Sequence, residues 1–406
     1  MYARIPTFCL LALLLALAGC SDEAAPVSEA AAQAVALPGV TPAADTNVDP
    51  LPVPAPPKVE ARGYYLMDYD TGRVLAAANE NERLEPASLT KLMSAYVVFA
   101  ALESGRIALD DMVHISRYAR SQEGSRMFVE AGSQVSVENL LQGVIVQSGN
   151  DATVALAEHV AGSEPVFVDL MNKYAQQLGM TSTHFQNSPG MPAPDHYTTA
   201  RDIAVLAAAL IREFPQYYKW YSQREFTWNN ITQPNRNGLL ARDPTVDGLK
   251  TGHTESAGYC LVSSAKRDGM RLISVVMGSP SIRAREDASA ALLNYGFSFY
   301  ETRQLFTANS PVLSVELWKG QKDQVRLAVP QAVYVTIPRG QAGSLHAKAE
   351  VTDPLLAPLT RDNEVGKLQL SLGSELLATY PLHPVEDVPE AGFLGRMIDT
   401  AKLWIF

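Results

Sequence analysis

A serine and a lysine, Ser88 and Lys91, stand three residues apart at the start of an apolar segment. On a helix such positions share one face, so the hydroxyl and the amine can come within hydrogen-bonding distance. A partly neutral amine can accept the hydroxyl proton and make the serine a nucleophile. The spacing recurs at Ser263 and Lys266, but there the sequence alternates like a strand. Because a serine also suits a helix N-terminus, the first pair predicts catalysis only together with other elements.

A second element is the polar turn around Ser148 and Asn150, between an apolar segment at 140–146 and the next predicted helix. A neutral hydroxyl can pass a proton to a leaving amine, and an amide can hold a lysine and bond a substrate peptide. Taken alone, a Ser-x-Asn turn is equally typical of a helix cap.

A third element is the run Lys250, Thr251, Gly252 and His253 within a predicted strand, 246–254. On an exposed strand edge, a peptide could lie alongside as an added strand, with close backbone approach at Gly252. Lys250 supplies positive potential for a carboxylate. Each residue would also suit a solvated strand, so the order of the three elements carries the prediction.

The three elements, separated by 60 and 102 residues, resemble those of the penicillin-recognising serine enzymes, which include penicillin-binding proteins and class A β-lactamases. The similarity continues through residues 196–202, 231–240 and 271–278. From about residue 60 onward, the chain resembles the low-molecular-mass D-alanyl-D-alanine carboxypeptidases, serine peptidase family S11. The resemblance implies removal of the terminal D-alanine from peptidoglycan pentapeptides through an acyl-enzyme that β-lactams also form.

The resemblance assigns roles to the residues of the first two elements. It implies that Ser88 is the acylated nucleophile and Lys91 its base. Ser148 would relay the proton to the departing D-alanine, and Asn150 would position both the lysine and the substrate amide.

The remaining roles concern the substrate. The resemblance implies that Lys250 and Thr251 bind the terminal carboxylate, and that the backbone amides of Ser88 and His253 form an oxyanion hole. Arg285 matches the family's carboxylate-binding arginine, although a helix-surface ion pair is the alternative. Neither a cofactor nor a metal ion is expected.

Three other functions share this fold. A class A β-lactamase would need a Glu-x-x-Leu-Asn motif, but residues 183–187 occupy that offset, so a β-lactam should acylate Ser88 and remain bound. A non-catalytic peptidoglycan-binding protein would not need the intact Ser88, Lys91, Ser148 and Lys250. A DD-endopeptidase stays open, because the second domain and terminal helix favour a carboxypeptidase only by analogy.

Composition sets the outer limits of the prediction. The 406 residues are 47% apolar and 19% charged, as in a soluble globular protein with two or three domains. The net charge of −10 argues against nucleic acid as a partner, although a few local cations can still hold an anionic substrate. The oligomeric state is not indicated.

The N-terminal region predicts export. Residues 1–19 combine one cation with an uncharged apolar run and precede Cys20, as in a bacterial lipoprotein signal peptide. Cys20 would carry a lipid, although an ordinary secretory signal is the alternative. Residues 20–59, rich in Ala and Pro, predict an extended tether. We expect a periplasmic, membrane-anchored protein, with the choice of membrane undetermined.

The elements that must position these residues suggest an α+β fold. Strands at both ends of 60–305 enclose helices, which predicts a catalytic domain with an antiparallel sheet and a helical lobe, as in β-lactamase-like enzymes. Alternating runs in 306–388 predict a small all-β domain. Residues 389–406 predict an amphipathic helix lying on a membrane, or else packing on its own domain. The helices of the catalytic domain are predicted over 89–102, 137–142, 152–160, 165–178, 200–212 and 284–300.

Overall fold

The computed structural model describes residues 31–40 and 52–404. The predicted signal peptide, 1–19, and the predicted lipid attachment at Cys20 lie outside these residues.

Regular structure alternates along the described chain as follows. The strands are β1 Ala31–Val35, β2 Gly63–Asp68, β3 Val74–Ala78, β4 Met112–His114, β5 Gln134–Ser136, β6 Glu225–Trp228, β7 Ile231–Pro234, β8 Val246–Thr254, β9 Gly258–Arg267, β10 Met270–Ser279, β11 Tyr300–Phe306, β12 Pro311–Glu316, β13 Gln324–Ala328, β14 Val333–Pro338, β15 Leu345–Val351, β16 Gly366–Leu372 and β17 Glu375–Pro384. The helices are α1 Thr90–Glu103, α2 Arg117–Ser121, α3 Val137–Gln142, α4 Asn150–Ala161, α5 Glu164–Gln177, α6 Ala200–Glu213, α7 Pro215–Tyr218, α8 Leu239–Arg242, α9 Ile282–Phe299 and α10 Phe393–Leu403.

A five-stranded antiparallel sheet in the order β3-β2-β10-β9-β8 organises the first domain. Successive strand residues face opposite sides, so Tyr65 and Met67 pack into the core of the helical lobe while Leu66 packs into a second core with α9. Helix α6 covers one face and α9 the other. The predicted antiparallel sheet with a helical lobe is therefore confirmed.

Helix α1 runs through the middle of the helical lobe. Its residues from Thr90 to Phe99 are all buried, and it contacts α4, α5 and α6. A helix that is apolar on every side belongs in a core, so its few polar residues, Thr90, Lys91 and Ser94, must find partners inside the protein.

The predicted helices are confirmed, with ends that differ by a few residues. Thr199 caps α6 by accepting a hydrogen bond from the Asp202 backbone N–H at 3.1 Å. The Asp202 carboxylate in turn accepts hydrogen bonds from the Ser182 N–H and the Thr183 hydroxyl. The carboxylate therefore fastens a neighbouring loop to the helix.

The second domain is built from strands. Its larger sheet has the order β1-β15-β16-β17-β13-β12, and β11 pairs separately with β14. In β15 the alternate residues Leu345, Ala347, Ala349 and Val351 are buried, as the alternating sequence predicts. Strand β11 starts at Tyr300, earlier than the predicted boundary at 305, because it pairs with β14 instead of ending the catalytic domain.

The predicted tether departs from expectation over part of its length. Residues Ala31–Val35 form a strand that pairs antiparallel with β15, and Val35 is buried in the core of the second domain. The segment is held there because it completes the edge of a sheet, which its Ala-rich composition does not reveal.

A buried carboxylate joins the two domains. Asp68 accepts hydrogen bonds from the backbone N–H and hydroxyl of Thr71 and, across the domain boundary, from the Thr302 hydroxyl at 2.6 Å. Both threonine hydroxyls also contact the hydroxyl of Thr336 in β14. Asp68 is fully buried, and its hydrogen bond to Thr302 can form only when the two domains meet, so this cluster helps to fix their contact.

Helix α10 presents its apolar side to solvent. Leu394 is 75% exposed and Trp404, just after the helix, is 89% exposed. On the other side, the Asp399 carboxylate accepts from the Lys319 backbone N–H at 2.7 Å. None of the helices within residues 31–40 and 52–404 is long and apolar enough to cross a membrane.

Candidate active site

The serine of the first motif lies in a tight 3₁₀ turn, Ala87–Leu89, immediately before α1. Lys91 follows in the first turn of α1, and its Nζ lies 3.0 Å from the Ser88 Oγ. The expected convergence of hydroxyl and amine is present. Ala87 has φ of 47°, a conformation uncommon for a residue with a side chain, so the turn is held by its surroundings.

The Lys91 amine is fully buried and has two further neighbours. Its Nζ lies 2.7 Å from the Asn150 Oδ1 and 2.6 Å from the Pro189 carbonyl oxygen. A neutral amine has two N–H donors and one lone pair. Because these two oxygens accept both N–H groups, the lone pair is left to face Ser88.

Burial also decides the charge of this amine. Desolvation by burial, followed by the positive charge of Arg236, lowers the pKa of Lys91 from 10.5 to about 7, while Asp151 opposes the shift. At neutral pH a large fraction of the lysine is therefore a free base. A group with this pKa and geometry can take a proton from the neighbouring hydroxyl.

The second motif follows a π-helical turn, Gly143–Gln147. Ser148 has φ of 61°, which turns its hydroxyl toward Lys250, and the Lys250 Nζ donates to the Ser148 Oγ at 2.8 Å. Asn150 starts α4, and its amide donates to the Glu123 carbonyl oxygen at 2.5 Å. The amide is thus oriented with its oxygen toward Lys91.

The third motif lies on β8, which is an edge strand of the sheet as predicted. The alternative of a solvated strand is wrong for Lys250 and Thr251, which are 2% and 5% exposed. The 3₁₀ turn Ala87–Leu89 packs against the strand, and the Ser148 hydroxyl meets the lysine. Lys250 also donates to the Thr251 carbonyl oxygen at 3.0 Å.

Gly252 has a packing role that the sequence did not suggest. A Cβ at this position would lie 3.0 Å from the Pro86 carbonyl oxygen and 3.2 Å from the Leu89 nitrogen. The strand backbone is therefore pressed against the turn that carries Ser88. The sequence predicts that the missing side chain allows close approach of a substrate, whereas in the structure it is needed first for this contact.

Arg285 lies in the first turn of α9 and is 4% exposed. Its Nη1 donates weakly to the Gly252 carbonyl oxygen at 3.3 Å, and its Nε has no hydrogen-bond partner among the described residues. Burial lowers the pKa of this guanidinium. The alternative of a helix-surface ion pair is therefore wrong, and the unsatisfied donor favours an anion-binding role.

These residues border one cavity of about 280 Å³. Lys91, Asn150 and Lys250 are buried and are not part of its lining. The predicted residues Ser88, Ser148, Thr251, Gly252, His253 and Arg285 line it, together with Ser125, Arg236, Tyr259 and Ile282. His253 stacks on Tyr259 with ring centroids 3.9 Å apart, which fixes the rim of the cavity.

Two functional side chains were missed in the sequence. Arg236 donates from Nε to the Gln147 carbonyl oxygen at 3.2 Å and so sits beside Ser148. Asp151, fully buried, accepts from the backbone N–H groups of Met127 and Phe128, both at 2.8 Å, and pins that segment near the site. Arg236 lies in a run that carries the family resemblance, but nothing local distinguishes it from a surface arginine.

The site concentrates positive charge in a protein whose net charge is −10. Burial, followed by the positive charges of Lys91, Arg236 and Arg285, lowers the pKa of Lys250 well below its usual range. An entering carboxylate would relieve this repulsion between the cations. The cavity is therefore suited to an anionic ligand. Within the described residues, no group of three or more His, Cys, Asp or Glu side chains is placed to hold a metal ion.

The second Ser-x-x-Lys sequence forms no such site. Ser263 lies on β9 with its hydroxyl buried and unpaired among the described residues, whereas Lys266 is exposed on the same strand. The prediction that this pair does not converge into a site is confirmed.

Comparison with known proteins agrees with this geometry. The D-alanyl-D-alanine carboxypeptidase family, peptidase S11, matches residues 52–281, and the C-terminal domain of penicillin-binding protein 5 matches residues 300–390. The chain is 46% identical to the D-alanyl-D-alanine carboxypeptidase DacC of Escherichia coli, over 86% of this chain and 89% of that protein.

Solved structures give the same result. Penicillin-binding protein 5 from Haemophilus influenzae superposes with a TM-score of 0.79 at 45% identity, covering 83% of this chain and 99% of that one. Penicillin-binding protein D2 from Listeria monocytogenes, solved in an ampicillin-bound form, has a TM-score of 0.55 at 27% identity, covering 59% and 98%. The chain therefore belongs to the peptidase S11 family of D-alanyl-D-alanine carboxypeptidases.

Proposed function

We propose that this carboxypeptidase acts through an acyl-enzyme on Ser88, with Lys91 as the general base. The observation that carries the proposal is the surroundings of the Lys91 amine. Two oxygens accept its N–H groups, the Ser88 Oγ lies 3.0 Å away, and burial lowers its pKa to about 7. An ordinary lysine, charged and solvated, would have no lone pair to offer.

In the first step, the Ser88 Oγ attacks the carbonyl carbon of the penultimate D-alanine, and Lys91 accepts the hydroxyl proton. Backbone N–H groups of Ser88 and His253 hold the developing oxyanion. The bond to the terminal D-alanine then breaks, and Ser148 relays the proton from Lys91 to the leaving nitrogen. Water next attacks the ester, Lys91 takes its proton, and the proton returns to the Ser88 oxygen.

Three basic side chains near the cavity besides the proposed base, Arg236, Lys250 and Arg285, suit the terminal carboxylate of the substrate. Lys250, Thr251 and Arg285 hold this group in the proposal, and Asn150 holds both Lys91 and the scissile amide. The free Nε of Arg285 and the mutual repulsion of the buried cations support the assignment. A carboxypeptidase needs such a pocket because its substrate ends at the leaving residue.

The same nucleophile would open a β-lactam ring. A structural relative of the same fold, penicillin-binding protein D2 from Listeria monocytogenes, was solved with ampicillin bound. Residues 183–187 contain no glutamate where class A β-lactamases place their deacylating one. We therefore expect the penicilloyl ester on Ser88 to persist rather than turn over.

The setting of the enzyme is also part of the proposal. A signal peptide over 1–19, a lipid on Cys20 and the helix in 389–406 would place the protein in the periplasm at a membrane surface, where peptidoglycan pentapeptides are its substrate. The exposed apolar residues of α10 support the contribution of the C-terminal helix.

Intact-protein mass spectrometry tests the central step. After incubation with penicillin, we expect the wild-type mass to rise by one penicillin and the Ser88→Ala mass to stay unchanged. With a pentapeptide ending in D-Ala-D-Ala, the wild type should release D-alanine and Ser88→Ala should not. Ser263→Ala, the matched change in the second Ser-x-x-Lys sequence, should behave as wild type. Labelling of the Ser88→Ala protein would place the nucleophile elsewhere.

A further inference from the structure

The Pro189 carbonyl is the least expected partner of Lys91, because no motif marks it. Its oxygen lies 2.6 Å from the Lys91 Nζ, shorter than the contact to Asn150. Asn150 is fixed by α4, whereas Pro189 belongs to a turn outside the helices and strands of the described chain. Something must therefore hold this turn in place.

Ser188 provides the attachment. Its backbone N–H and its hydroxyl both donate to the Glu164 Oε1, at 2.9 and 2.7 Å. Its carbonyl oxygen accepts from the Ser94 hydroxyl at 2.6 Å. Ser94 and Lys91 share one face of α1. Two successive carbonyl groups, those of Ser188 and Pro189, therefore accept hydrogen bonds from side chains of the helix that carries the base.

Glu164 is itself firmly placed and lies outside the cavity lining. It is 7% exposed, occupies the first position of α5, and its Oε2 accepts from the Tyr118 hydroxyl at 2.6 Å. A helix N-terminus favours a carboxylate at this position. The cavity lining does not include it, so it does not touch a substrate there.

The turn also packs tightly against Ala87, the residue before Ser88. Gly190 has φ of 88°, and a Cβ there would lie 1.9 Å from the Ala87 carbonyl oxygen. The Asn187 Oδ1 accepts from the N–H groups of Gly190 and Met191, both at 2.8 Å. A movement of this turn would therefore displace both the segment that carries Ser88 and the carbonyl that contacts Lys91.

We propose that Glu164 is a positioning residue for acylation: by holding Ser188 it fixes the Pro189 carbonyl against Lys91 and so aims the lysine lone pair at Ser88. The inference rests on the proposed roles of Ser88 and Lys91. If the carbonyl withdrew, one N–H of the amine would be free to turn toward the Ser88 oxygen, and the lone pair would point away from the proton it must accept.

Loosening the turn also changes the titration of the base. The charged groups that act on Lys91 are Arg236, Lys250 and Asp151, and none of them is altered by a change at Glu164. Water entering beside the amine would weaken the desolvation that holds its pKa low. The acid limb of the acylation rate should then move to higher pH.

The test compares Glu164→Ala and Glu164→Gln with Glu138→Gln, which alters an exposed glutamate in the first turn of another helix. Acylation of the full chain by a fluorescent penicillin is followed from pH 5 to 9. For Glu164→Ala we expect the maximal rate to fall about tenfold or more, with little change in the half-saturating concentration. The midpoint of the acid limb should rise by about one pH unit.

Glu164→Gln keeps an acceptor for Ser188 and should show a smaller change of the same sign, while Glu138→Gln should match the wild type. If Glu164→Ala does not fold, as judged by circular dichroism, the glutamine variant decides. Wild-type rates and midpoint in the Glu164 variants that fold would overturn the inference. Ser88→Ala, run in parallel, separates the two proposals, since labelling of that variant contradicts the proposed function instead.

Discussion

The charge of Lys91 gives the sharpest quantitative prediction. With a pKa of about 7, half of the buried amine is neutral at pH 7, whereas an unperturbed lysine would be neutral in roughly one molecule in 3,000. The lowering from 10.5 corresponds to roughly 5 kcal/mol in favour of the neutral form, at about 1.4 kcal/mol per pH unit. This shift makes the amine a usable base at neutral pH.

The sign of the pH dependence follows directly. Acylation needs the neutral amine, so the rate should rise with pH through about 7 and level off above it. At pH 5 about one amine in a hundred is neutral, and the acylation rate should be about a hundredfold below the plateau. Stopped-flow labelling with a fluorescent penicillin at saturating concentration measures this rate directly.

Replacing the base should remove the pH dependence together with the rate. Lys91→Met keeps the volume of the side chain and should lower acylation by roughly 10²- to 10⁴-fold. Lys266→Met, on the exposed lysine of the second Ser-x-x-Lys sequence, is the control and should retain the wild-type profile. A flat wild-type rate between pH 5 and 9, or a Lys91→Met rate within a few-fold of wild type, would refute the reasoning.

Three further predictions concern binding, stability and attachment. Arg285→Ala should raise KM for the pentapeptide by about tenfold or more, since a buried cation is lost, and affect kcat less; D-alanine release measures both. Gly190→Ala should lower the free energy of unfolding in urea by about 2 kcal/mol or more, because a Cβ would collide with the Ala87 carbonyl. Deleting 393–406 should leave the protein in the membrane fraction, Cys20→Ala should weaken its retention, and the two together should release it.

For each of these three predictions, a control or a contrary result can be measured. An unchanged KM in Arg285→Ala would show that the carboxylate binds elsewhere. Gly179→Ala, at a residue of similar positive φ that faces open space, should cost clearly less stability than Gly190→Ala. Incorporation of labelled fatty acid into the Cys20→Ala protein, or full solubility after the tail deletion alone, would contradict the two-anchor hypothesis.

The sequence by itself determined the chemistry of the site. Ser88 and Lys91 are brought together by the geometry of one helical turn, which depends only on local spacing. The order of the three motifs then indicated where a relay and a carboxylate pocket should lie. Alternating and helical patterns likewise predicted most strands and helices, because the periodicity of apolar residues depends only on neighbouring positions in the sequence.

Only the tertiary structure decided what makes that chemistry work. The lowered pKa of Lys91 comes from its complete burial, and the Pro189 carbonyl that we propose to orient its lone pair is a backbone group that no residue type identifies in the sequence. Arg236 and Asp151 reach the site from distant segments, and Ala31–Val35 pairs with a strand more than 300 residues away. Desolvation, backbone acceptors and long-range strand pairing depend on which distant segments pack together in the folded protein. Local sequence patterns therefore cannot predict them.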